Sequence, residues 1–142
     1  MPEQVRTVPS HDQMRAMIER HVANWNAGDK DTWLADLQDV ITGELTMEDP
    51  VGTPVKRGWS IMSEAWDNSP NADWKLSILK MIVCGNETAM LMRSDGVVQG
   101  TPVVVESLET VQFHDDGSVR WKTYFDIPEG SEYGEWTAQT GE

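Results

Sequence analysis

Cysteine is nearly absent from this chain. Cys84 stands alone among 142 residues, so no intrachain disulfide can staple the fold. Its place in the apolar run Ile78 to Cys84 puts it in the core rather than at a reacting centre. Basic residues are scarce too: 11 Lys and Arg stand against 24 Asp and Glu, a formal charge of −13. A field of that sign repels phosphate backbones and anionic lipid, which argues against a nucleic-acid or membrane partner. The acids are spread along the chain, as on a solvated surface. No Gly-rich phosphate loop, no G-x-S-x-G motif and no internal repeat occurs. His11, His21 and His114 lack the spacing of metal ligands, so neither a metal nor a cofactor is expected. No run approaches the roughly 18 apolar residues of a membrane span. Met1 to Ser10 has no apolar signal core, and the expectation is a cytoplasmic protein.

What the chain does contain is one domain's worth of patterned sequence. Residues 1–9 read as a flexible leader, 10–128 as the folded domain and 129–142 as a polar tail. Ser10 or Asp12 is placed to cap a helix running to about Asn26, closed by Ala27-Gly28-Asp29. Met14, Ile18, Val22 and Trp25 recur at helical spacing, and His21 falls on the same stripe. His21 is therefore either a core histidine bonded to the backbone or a functional group. A second helix spans Lys30 to Val40 with Trp33, Leu34 and Leu37 inward, and a third, introduced by Lys56-Arg57-Gly58, spans Trp59 to Asn68.

The stretch Leu45 to Gly52 carries the strongest hint of chemistry. Alternation puts Leu45, Met47 and Asp49 on one face and Glu44, Thr46 and Glu48 on the other. Pro50 ends the strand, so Asp49 sits at its rim, either as a turn cap or as a general base whose pKa apolar surroundings raise. Four further strands are expected: Trp74 to Cys84, Thr88 to Ser94 broken by Asp95-Gly96, with Val97 to Gln99 lengthening it or starting the next, Pro102 to Phe113, and Ser118 to Ile127. Within the third of these, Glu109 shares a face with Val103, Val105, Ser107, Val111 and Phe113. A carboxyl there needs a partner or a proton. Arg93-Ser94-Asp95 reads most simply as an ion pair at a strand end. Helices followed by strands imply an α+β fold with one sheet face covered.

Asn26-Ala27-Gly28-Asp29, Met47-Glu48-Asp49-Pro50-Val51-Gly52 and Leu108-Glu109-Thr110-Val111-Gln112-Phe113 together resemble the ketosteroid isomerases. These belong to the NTF2-like (SnoaL-like) superfamily, and the resemblance runs from about Met14 to Ile127. It implies a cone-shaped α+β barrel, N-terminal helices on a curved, mostly antiparallel sheet, with an apolar pocket and a homodimer. It also implies proton transfer on a hydrophobic, carbonyl-bearing small molecule, such as a steroid or polyketide. In that family the base matches Asp49, the acid on the later strand matches Glu109, and a first-helix tyrosine matches His21. A supporting tyrosine is matched by Trp66. Trp25, Met47, Trp66, Val111 and Trp121 are the side chains expected against a substrate. Arg93-Ser94-Asp95 resembles instead the catalytic pair of limonene-epoxide-hydrolase-like members, whose further Asp is Thr123 here. A binding module, with tryptophans such as Trp25, Trp59 and Trp66 around an apolar ligand, is the reading from another class.

Overall fold

A computed structural model describes residues 8–68 and 74–126. The expected tail, most of the leader and the turn at Ser69-Pro70-Asn71 lie outside them. α1 (His11–Ala27) starts where a capping box would start it: Ser10 accepts from the Gln13 amide, and the Gln13 side chain accepts from the Ser10 amide. It stops at Gly28, which adopts the left-handed conformation. Asp29 then caps α2 (Lys30–Val40) through the Thr32 amide at 3.1 Å. α3 (Trp59–Asn68) completes the helical layer. The buried stripe of α1 is Met14, Met17, Ile18 and His21, while Val22 and Trp25 lie at its half-buried edge.

Among the described residues, six strands form one sheet in the order β2-β1-β6-β5-β4-β3. These are β1 (Leu45–Glu48), β2 (Lys56–Arg57), β3 (Lys75–Cys84), β4 (Glu87–Val98), β5 (Thr101–Phe113) and β6 (Val119–Tyr124). All neighbours run antiparallel except β1 and β6, which are parallel with Leu45 beside Val119 and Met47 beside Trp121. The core lies between the helices and the sheet's inner face, built from Met14, Trp33, Leu37, Leu45, Met90, Val111, Phe113 and Trp121 among others.

Two expectations are corrected. β4 is not broken at Asp95-Gly96; it continues to Val98 and turns at Gln99-Gly100, both at positive φ. Gly96 is there for another reason: a Cβ on it would fall 2.4 Å from the Trp74 ring, which lies over the bare backbone. The helix expected after Lys56-Arg57-Gly58 is present as α3, and Lys56-Arg57 also form a short edge strand. Cys84 is exposed rather than core. A β-bulge between Ile78 and Lys80 shifts the alternation by one residue, so Leu76, Ile78, Met81 and Val83 are the half-buried side chains and Leu79, Ile82 and Cys84 point outward.

Candidate active site

The sheet's register builds the site. Glu109 on β5 lies opposite Thr123 on β6, and beyond the end of β1 the Val51 amide bonds to the Thr123 carbonyl at 2.8 Å, carrying Asp49 alongside Thr123. Asp49, Thr123 and Glu109 therefore form one row on the inner face. The Asp49–Pro50 peptide that follows β1 is cis. Lys56 on β2 pairs with Met47, which pairs in turn with Trp121, giving a second row beneath the first.

Hydrogen bonds tie the rows together. The Trp121 indole donates to Glu109 Oε1 at 2.9 Å, and the Thr123 hydroxyl approaches the same oxygen at 3.5 Å while also bonding to the Asp49 carboxyl. A threonine has one proton to give. Thr123 can therefore serve Asp49 as donor while Trp121 serves Glu109. Burial raises the Asp49 pKa above its ordinary value, opposed by the Lys56 charge and the Thr123 hydrogen bond. Burial also lifts Glu109 to about 7, against the Trp121 bond and with help from the negative charge of Asp49. Both residues keep some exposed surface, so the acids are withdrawn but not sealed.

His21 reaches this cluster from α1. Its ring meets the Trp121 ring edge-on, with centroids 5.1 Å apart. The Trp33 indole donates to His21 Nδ1 at 2.8 Å. An indole N–H only donates, so Nδ1 must be the bare nitrogen, and a neutral ring then carries its proton on Nε2. Burial lowers the His21 pKa to about 4, which makes the neutral ring the form present near neutrality. The backbone carbonyl expected of an ordinary core histidine is replaced by a tryptophan that fixes the tautomer.

Of the remaining residues singled out from the sequence, Met47 and Trp25 are half-buried, and Trp66 is buried against Trp25 and Trp33 at ring distances of 5.0 and 4.9 Å. Val111 has no exposed surface and is a core residue, and Trp121 is enclosed between His21 and Glu109. Arg93 and Asp95 form an exposed two-pronged ion pair, with nitrogen–oxygen distances of 2.8 to 3.2 Å. Met90 and Met92 of the same strand are buried, so by alternation that pair lies on the opposite side of the sheet from Glu109. Sequence reasoning missed Lys56 and Thr123. Thr123 was legible from the Val119, Trp121, Thr123 alternation on β6, whereas the place of Lys56 depends on the return of the chain after Pro50. Among the described residues no cluster of His, Cys, Asp or Glu could hold a metal ion.

Among the described residues, three helices on one face of a mostly antiparallel sheet, with ionisable groups on the covered face, match the α+β architecture of the NTF2-like and cystatin-like folds. Solved structures bear this out. The chain is similar to SalBIII, an epoxide hydrolase/cyclase-like enzyme of pyran ring formation in the polyether salinomycin, at 14% identity over 83% of this chain and 94% of that one, with a TM-score of 0.66. It is similar to RV0760c from Mycobacterium tuberculosis at 15% identity over 84% and 95%, TM-score 0.68. A protein with a cystatin-like fold from Methylobium petroleophilum PM1 matches at 18% identity over 87% and 84%, TM-score 0.63. No protein-family model matches the chain.

Proposed function

We propose that this protein is a proton-transfer enzyme of the ketosteroid isomerase type, acting on an uncharged, apolar small molecule with a carbonyl group. The observation that carries the reading is the Asp49–Thr123–Glu109 row, with one carboxyl served by a hydroxyl and the other held near its protonated form. Asp49 takes a proton from the carbon between the carbonyl and a double bond. Charge moves onto the carbonyl oxygen, where protonated Glu109 and the Nε2–H of His21 donate to it. The carboxylic acid of Asp49 then returns the proton to the far carbon. His21 stands where the isomerases have a tyrosine, and its neutral, tautomer-locked form answers the need for a donor without adding a charge.

The test is ultraviolet monitoring of a β,γ-unsaturated 3-ketosteroid, because conjugation changes its absorbance directly. Turnover should fall roughly 10²- to 10⁴-fold in Asp49→Asn, the range expected for loss of a general base. Equal rates in the two proteins would remove the isomerase reading. The likeness to SalBIII supports a second use of the same pair, in which Glu109 protonates an epoxide oxygen and Asp49 activates the incoming hydroxyl. Epoxide opening that survives Asp49→Asn would dispose of that alternative.

A further inference from the structure

Two carboxyls that share a hydroxyl and feel each other's charge compete for one proton, and nothing in such a pair by itself decides which becomes base and which acid. The third ionisable group of the row system breaks the tie. Lys56 is only 6% exposed. It stands on the inner face because β2 pairs Lys56 with Met47, while Arg57 turns outward to Glu44 at 3.0 Å. Its Nζ lies 3.5 Å from the Asp49 carbonyl oxygen, on the side of the pair away from Trp121 and Glu109. A buried ammonium is costly without a compensating charge, and the Asp49 carboxylate is the charge that acts on it.

We propose that Lys56 assigns the roles within the pair: it is a positioning residue whose ammonium makes Asp49 the carboxylate and leaves Glu109 the acid. The proposal rests on the reading of Asp49 as base, and it also narrows the substrate. Between about pH 4 and pH 7, Lys56 positive, Asp49 negative, and Glu109 and His21 neutral sum to an uncharged site, which favours a neutral ketone over a carboxylate-bearing one.

Among the described residues, the charged or titratable groups around Asp49 are Lys56 from β2, Glu109 from β5 and, through Trp121, His21 from α1, with the Thr123 hydroxyl between the acids. The sign follows. Removing the ammonium withdraws the larger of the two influences that oppose the burial of Asp49, so its proton affinity rises, and the falling charge on Asp49 lets Glu109 ionise more easily.

The experiment is carbon-13 NMR titration of protein labelled at the carboxyl carbons of Asp and Glu. Asp49→Asn and Glu109→Gln identify the two resonances, and Lys56→Met and Lys56→Arg are compared with the unaltered protein. Asp49 should titrate well below Glu109 in the unaltered protein and in Lys56→Arg. In Lys56→Met its midpoint should move up by about one pH unit or more, a tenfold gain in proton affinity, and the acid limb of kcat/KM should move with it. An unmoved Asp49 midpoint in Lys56→Met overturns the proposal, as does Lys56→Arg behaving like Lys56→Met. The titration needs no turnover, so a protein inactive on every ketone but showing the NMR shift loses the isomerase reading and keeps the role of Lys56. If Lys56→Met does not fold, Lys56→Gln replaces it, with the same upward shift expected and an unmoved midpoint equally fatal.

Discussion

At the scale of single residues, Glu109 gives the molecule a pH dependence whose sign can be worked out. Its folded-state pKa of about 7 lies above the ordinary 4.5, so between those values the native protein holds a proton that the unfolded chain has released. Stability contributed there is present in acid and lost as pH rises through 7. Glu109→Gln cannot ionise, so by thermal unfolding it should melt above the unaltered protein at about pH 8 and match it near pH 4. A constant gap at all pH values would mean that the carboxyl is already charged in the fold. His21 acts in the opposite direction: with its pKa lowered from 6.5 to about 4, its contribution is lost as pH falls through that interval. His21, Asp49 and Glu109 could all be picked out beforehand, because each interrupts an apolar face and periodicity reveals an interruption. Lys56 could not, since a two-residue strand has no period to interrupt.

At the scale of elements, α1 and α2 were legible because caps in the local sequence mark their starts and the end of α1. Ser10 with Gln13, Gly28 and Asp29 are caps, and caps act within a turn of the chain. Strand boundaries were less legible, because a glycine can mark a turn or make room for a ring, and Gly96 does the second. The bulge in β3 inverted the outlook of Cys84 because a register shift against β4 moves every later side chain of the strand to the other face. One contact turns a helix end into a fastener for that strand. The Asn26 side chain donates to the Leu76 carbonyl at 2.9 Å and accepts from the Leu76 amide at 2.8 Å, so it pairs with the edge strand as another strand would. Asn26→Ala should cost about 1–3 kcal/mol by denaturant unfolding, as for polar groups left unsatisfied. Hydrogen exchange at the Leu76 amide should lose its protection at the same time. An unprotected Leu76 amide in the unaltered protein would show that the fastener does not hold in solution.

At the scale of the whole molecule, the sheet's outer face carries more apolar surface than a solvated face requires. Leu108 is 56% exposed and stands in register with Leu91 on one side and Tyr124 on the other, while Val104 of the same strand and Leu79 and Ile82 of β3 are also exposed. Resemblance to the isomerases implies a homodimer, and this face is where apolar area is available to one. Sedimentation equilibrium at micromolar concentration should give twice the chain mass, and Leu108→Lys should shift it toward the monomer; a monomeric unaltered protein removes the expectation. Dimerisation is a property of matched surfaces, which no periodicity within one chain encodes.

The parallel pairing of β1 with β6 has a consequence in time as well as in space. Thr46 and Val119, joined by a hydrogen bond across that pairing, lie 73 residues apart in sequence, whereas β3, β4 and β5 are joined by tight turns. Local hairpins close early and distant strands late, because closing a long loop costs entropy before any contact rewards it. A ribosome-bound chain halted before Val119 would hold Asp49 and Glu109 without the strand between them. On the proposed function, proton chemistry at this site is thus withheld from the nascent protein until β6, the last of the described strands, has been synthesised.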